Sequence, residues 1–125
     1  MSRTRSIRLD WTGEGLAVNR TGAAGVPIVI DSDTRLGPSP MEALLMAVGG
    51  CMAIDVLIIL EKSRVPVNAL ALVAEGLRAE EDPKRYEAVT LTFELEGPGE
   101  EHQPRLDRAI ELSRDKYCSV LHTLR

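Results

Sequence analysis

The chain has 125 residues, which fits one domain with a single core. Apolar residues make up 44% and charged residues 27%, ordinary figures for a soluble globular protein. The net charge is −4 and the aromatics are only Trp11, Tyr86, Phe93 and Tyr117, so there is no basic surface for nucleic acid or an anionic membrane and little to stack bases on.

The N-terminal Met-Ser-Arg-Thr-Arg-Ser-Ile-Arg is basic but has no apolar run behind it, and does not read as a signal peptide. Residues 3 to 10 alternate, with Ile7 and Leu9 against Arg8 and Asp10, which predicts a half-buried strand. Trp11-Thr12-Gly13-Glu14-Gly15 reads as a turn and 16 to 20 as a second strand. Thr21 to Gly25 is another glycine-containing turn, and Val26 to Asp31 is a β-branched third strand. These strands form an antiparallel meander.

After a loop from Asp31 to Pro40, three signals agree on a helix start. Ser39 is placed to be the N-cap, Pro40 suits the first helical position, and Glu42 completes a capping box. The helix should run to about Lys62, with Pro66 preventing much further extension. It is apolar nearly all round from Ala43 to Leu60, and Asp55 is the only acid within that stretch. With Asp55 and two glycines it falls short of a membrane span and reads as a buried helix. One sheet covers only one side of such a helix, so the other side calls for a second helix or a second subunit. A homodimer with this helix near the two-fold axis is expected.

Residues 69 to 80 and 86 to 96 read as two long strands. In the second, Thr90, Thr92, Glu94 and Glu96 alternate with Val89, Leu91, Phe93 and Leu95, leaving one face wet. A helix over about 103 to 115 follows, interrupted by Tyr117-Cys118, and 119 to 124 makes a short last helix. The order βββ-α-ββ-α-α makes an α+β fold, an antiparallel sheet packed on a long apolar central helix.

Cys51 and Cys118 are the only thiols. Cys51 follows Gly49 and Gly50, each of which costs helix stability by roughly 1 kcal/mol against alanine. Glycines are tolerated there where another backbone or a substrate comes close. Cys51 is thus either a core filler beside a tight helix crossing or a thiol with one side opened to a reactant. Asp55, one turn on, is expected to pair with an arginine or line a wet cavity. Cys118 should begin the last short helix, where free N–H groups, Arg114, Lys116 and His122 would favour a thiolate; the plainer reading is a half-buried cysteine at a helix junction. Arg35 in the loop before the helix either approaches a thiolate or faces solvent. His102 and His122 are too few and too scattered for a metal site, and the glycines match neither a phosphate loop nor a dinucleotide fingerprint, so no metal and no cofactor is expected. The expected compartment is the cytoplasm, where two cysteines argue against a structural disulfide and leave room for a transient redox bridge.

Ser39-Pro40-Met41-Glu42-Ala43-Leu44-Leu45 followed by Gly49-Gly50-Cys51-Met52, with Tyr117-Cys118-Ser119 downstream, resembles the osmotically inducible protein C (OsmC) and organic hydroperoxide resistance family, in its OsmC-like branch. The resemblance spans roughly residues 36 to 123. It implies an intertwined homodimer with sites at the subunit interface and thiol-dependent reduction of organic hydroperoxides in oxidative stress defence. Cys51 would then be the peroxidatic thiol and Cys118 the resolving one, with a dithiol reductant reopening their disulfide. An arginine, for which Arg35 is the candidate, would steady the thiolate, and a carboxylate near the helix start, Glu42, would hold that arginine. In the organic hydroperoxide resistance proteins the acid directly follows the helix-opening proline. Here Met41 stands there and Glu42 is one residue on, about 100° round the helix. The displaced acid favours the alternative function, a dimeric module that binds a small apolar ligand or senses redox state on the same scaffold.

Overall fold

A computed structural model describes residues 3–21 and 27–125. Its contacts divide the chain into two compact units, residues 1–44 and 45–125.

In the first unit β1 (Arg8–Trp11), β2 (Ala17–Thr21) and β3 (Ile28–Asp31) form the expected antiparallel meander. The first ladder begins where Arg8 faces Thr21, so β1 starts later than the alternation from residue 3 suggests. The turn expected up to Gly25, and Val26, expected to open the third strand, lie outside the described residues. Asp31 is buried, and its carboxylate accepts the N–H groups of Asp33 (2.9 Å) and Leu36 (3.1 Å). The Asp33 bond leads in holding this carboxyl below the usual aspartate range; the Leu36 bond and the charge of Arg35 add to it, against the opposing effect of burial. Gly37 passes so close to the Val29 carbonyl that no side chain fits between them.

The central helix, α1 (Pro40–Lys62), begins with the capping box read from the sequence. Glu42 N–H donates to Ser39 Oγ (3.1 Å), and Ser39 N–H donates to Glu42 Oε1 (3.0 Å). Its other end closes with two reversed bonds, Arg64 N–H to Glu61 O (3.1 Å) and Val65 N–H to Leu60 O (3.0 Å). This closure needs a left-handed residue, and Arg64 takes that role with φ 58°. Val65 packs with Leu60 in the core, and Pro66 follows.

In the second unit β4 (Ala69–Arg78) and β5 (Tyr86–Glu96) pair antiparallel. Among the described residues the strands therefore form two sheets, of three and two strands. Leu70 lies opposite Leu95, Leu72 opposite Phe93 and Ala74 opposite Leu91 on the inner face, while Thr92, Glu94 and Glu96 are exposed, as the alternation predicts. The buried stripe of α1 is Val48, Gly49, Met52, Val56 and Leu60. Val56 and Leu60 join Val65 and Ala109, flanked by Leu70, Phe93, Leu95, Leu106 and Ile110. Val48 and Met52 join Cys118, flanked by Cys51, Leu91, Phe93, Val120 and Leu121. A Cβ on Gly49 would lie 2.8 Å from Leu72 Cδ2, so this glycine is the close approach of helix and strand.

A 3-10 turn (Glu100–His102) leads into α2 (Gln103–Leu112). The helix does not continue regularly to residue 115. It widens into a π-helical turn over Ser113–Tyr117, closed by Cys118 N–H to Ser113 O (2.7 Å), and α3 (Ser119–Leu124) follows. The opposite stripe of α1 is apolar and exposed in the single chain, through Met46, Gly50, Ile54, Leu57 and Ile58. By length and composition α1 would suffice to cross a bilayer, but its buried stripe belongs to the two core clusters above.

Candidate active site

Cys51 sits in α1 beside the buried Met52 and is itself half-buried. A Cβ on Gly50 would meet nothing within 4 Å, so the helix surface next to this thiol is bare. Of the glycine pair, then, Gly49 serves packing and Gly50 serves openness. Asp55 follows one turn later on the same helix.

Cys118 is brought to them by the π turn. The wide turn ends at Tyr117, and Cys118 adopts an extended backbone (φ −69°, ψ 100°) as the N-cap of α3. Its Sγ accepts the Leu121 N–H at 3.4 Å, and the side chain is fully buried. The sulfurs of Cys51 and Cys118 and a carboxylate oxygen of Asp55 all lie within 4.8 Å of one another, and both cysteines are free thiols. A modest side-chain movement separates this arrangement from an S–S bond of about 2.05 Å.

The electrostatics of Cys118 run opposite to the expectation from its neighbours in sequence. Burial pushes its pKa up; the Leu121 N–H pulls it down, but a hydrogen bond to Cys51 and the charges of Cys51 and Asp55 push it up again. Arg114 pairs with Asp115 at 2.8 Å, and the Lys116 ammonium sits 5.2 Å from the centre of the Tyr117 ring. The ring nitrogens of His122 lie 2.9 Å from the Cys118 carbonyl and 3.0 Å from that of Asp115. Each of the three basic groups is thus engaged away from the sulfur, and burial favours the protonated form of Cys118.

Asp55 finds a serine rather than an arginine. The buried Ser113 donates from Oγ to Asp55 Oδ2 at 2.9 Å. Ser113 escaped the sequence reading because a serine inside a helical pattern ordinarily faces solvent or bonds its own backbone. Only the widened turn carries Ser113 and Cys118 to the same cluster. Asp55 also lines an open cavity of about 470 Å³, with Ile58, Ile59, Lys62 and Leu112 in its walls.

The other two sequence candidates belong to the first unit. Arg35 is exposed, and its charge acts on Asp31. Glu42 is exposed and engaged in the capping box.

Comparison with known proteins follows these features. A family model described as OsmC-like protein matches residues 31–125. Protein YhfA of Escherichia coli K12 is 40% identical over 114 residues, covering 90% of this chain and 84% of that protein. A solved structure from Aquifex aeolicus is 30% identical with a TM-score of 0.84, covering 98% of this chain and 88% of that one. An OsmC-like protein of unknown function from Vibrio cholerae has the same fold, with a TM-score of 0.75 at 17% identity over 98% of this chain and 94% of its own.

Proposed function

The chain belongs to the OsmC-like protein family, and from that premise we propose that it is a thiol peroxidase that reduces organic hydroperoxides with Cys51 and Cys118. The observation that carries the reading is the approach of two free thiols, one half-buried and one fully buried.

In the first step the Cys51 thiolate attacks the outer peroxide oxygen. The O–O bond breaks, the alkoxide takes a proton to leave as an alcohol, and Cys51 becomes a sulfenic acid. In the second, Cys118 attacks the Cys51 sulfur, the S–O bond breaks and water leaves, forming the disulfide. An external dithiol then reduces the bridge and is itself oxidised to a disulfide. The greater exposure of Cys51 supports this division of roles, since a reactant reaches it sooner than Cys118. The resemblance would add a cation for the thiolate; Arg35 acts on Asp31 and Glu42 on the cap of α1. The same reading includes a homodimer that covers the exposed stripe of α1 and a reducing cytoplasm that returns the pair to the dithiol.

The test is turnover of tert-butyl hydroperoxide with a dithiol reductant. The native chain should consume peroxide catalytically and Cys51→Ser should not. Cys118→Ser should consume about one equivalent per chain in the absence of reductant and stop as a sulfenic acid that dimedone traps. Turnover by Cys51→Ser equal to the native chain's would rule the reading out. A second reading, a binder of small apolar molecules, draws on the cavity beside Asp55. It predicts a ligand that co-purifies with the protein and is retained when both cysteines become serine, and loss of that ligand in the double variant would exclude it.

A further inference from the structure

The disulfide-forming step has an unmet requirement. Cys118 is fully buried, and Cys51 and Asp55 beside it disfavour its thiolate, yet it must lose its proton to attack the oxidised Cys51. The bases near it in sequence are engaged elsewhere: Arg114 with Asp115, Lys116 over Tyr117, and His122 between two backbone carbonyls. The titratable group that shares the cluster with both sulfurs is Asp55.

We propose that Asp55 is the general base of the resolving step, a role that rests on the two-cysteine reading above. The argument stands on position. A carboxylate oxygen lies within 4.8 Å of each sulfur, so one group reaches both the thiol that must be deprotonated and the sulfur from which hydroxide must depart. Ser113 holds the carboxylate by donating to Oδ2. Such distances in a resting site shorten when the reacting geometry forms. Asp55 also lines an open cavity. An acid in an otherwise apolar stretch of α1 needs a reason, and a proton relay supplies one.

The step balances. The Asp55 carboxylate takes the proton from Cys118 Sγ. The resulting sulfur lone pair forms the bond to Cys51 Sγ as the S–O bond of the sulfenic acid breaks with its electron pair. The hydroxide so released takes the proton from the Asp55 carboxyl and leaves as water, returning the carboxylate. Cys118 is oxidised and the sulfenic sulfur reduced, with no outside electron donor.

The experiment separates the two steps. Native chain and Asp55→Asn, which preserves shape and the bond from Ser113, are mixed rapidly with tert-butyl hydroperoxide. Samples are quenched over time with dimedone and with a thiol-blocking reagent, and Cys51 sulfenic acid and disulfide are counted by mass spectrometry. Asp55→Asn should oxidise Cys51 no more slowly than the native chain but close the disulfide about a hundredfold or more slowly, so that sulfenic acid accumulates. Asp55→Glu, which keeps the acid but displaces it by one methylene, should fall between the two, and it carries the test if Asp55→Asn does not fold. Disulfide closure at the native rate in Asp55→Asn, or in Asp55→Glu where that is the folded variant, would overturn the assignment. So would equal slowing of both steps, which marks a structural role. If the native chain itself yields neither sulfenic acid nor disulfide, it is the peroxidase reading that fails, and this role falls with it.

Discussion

Cys118 shows how little nearness along the chain says about a side chain's surroundings. Arg114, Lys116 and His122 look from sequence like a cationic setting for a thiolate, but each turns to a different partner, and burial raises the thiol's pKa instead. A thiol whose pKa is raised on folding adds stability that is complete below its unfolded pKa and is lost as pH climbs through the higher folded one. In Cys51→Ser, where Cys118 is the sole thiol, ultraviolet thiolate absorbance should appear at a higher pH than in the urea-unfolded chain, and stability to urea should decline over the same alkaline range. Titration at or below the unfolded value would refute the assignment. Asp55 was partly legible: its isolation in an apolar stretch pointed to an arginine partner or a wet cavity, and it lines a cavity but meets a serine in place of an arginine. The identity of that partner, Ser113, was not, because it depends on a turn with the wrong period for an α-helix.

At the scale of elements the helix ends were written most plainly. Ser39, Pro40 and Glu42 specify a start by local hydrogen bonds, and Pro66 forbids continuation, so α1 runs over the residues predicted for it. The β4–β5 pair was legible for the same reason, since alternation over ten residues fixes which face is buried. The second helix was less so: its apolar spacing continues through Ser113 while its hydrogen bonds change from the α to the π pattern, and spacing does not record that change. The C-terminal closure of α1 carries a defect that can be measured. Arg64 holds a left-handed backbone at φ 58°, which costs a residue with a Cβ roughly 1 kcal/mol and glycine almost nothing. Arg64→Gly should therefore stabilise the protein by about 0.5–1 kcal/mol in urea denaturation, although glycine is among the poorest helix formers. A loss of stability would show that the arginine side chain contributes more than the strain it imposes.

For the molecule as a whole, two features carry the account. The first is the bare stripe of α1, in which Ile54 is 59% exposed and Met46 64%. Contiguous apolar surface on a central helix marks an interface, and a second copy is the occupant expected from the sequence. Light scattering should give a dimer mass for the native chain and a monomer, or a dimer weakened at least tenfold, for Ile54→Glu; a monomeric native chain would contradict the expectation. The second is the meeting of Cys51 and Cys118. Each motif supports a bland reading by itself, and composition gave no means to join them. The resemblance to a known family did, and the strands between them are what fold the chain back so that the sulfurs share a cluster with Asp55. That cluster is the centre of the functional account, and one measurement addresses it most directly. After one equivalent of tert-butyl hydroperoxide and no reductant, peptide mapping under non-reducing conditions should recover Cys51 and Cys118 in a single intrachain disulfide, restored to two thiols by a dithiol. Two unreacted thiols, or oxidation of Cys51 that never engages Cys118, would contradict it.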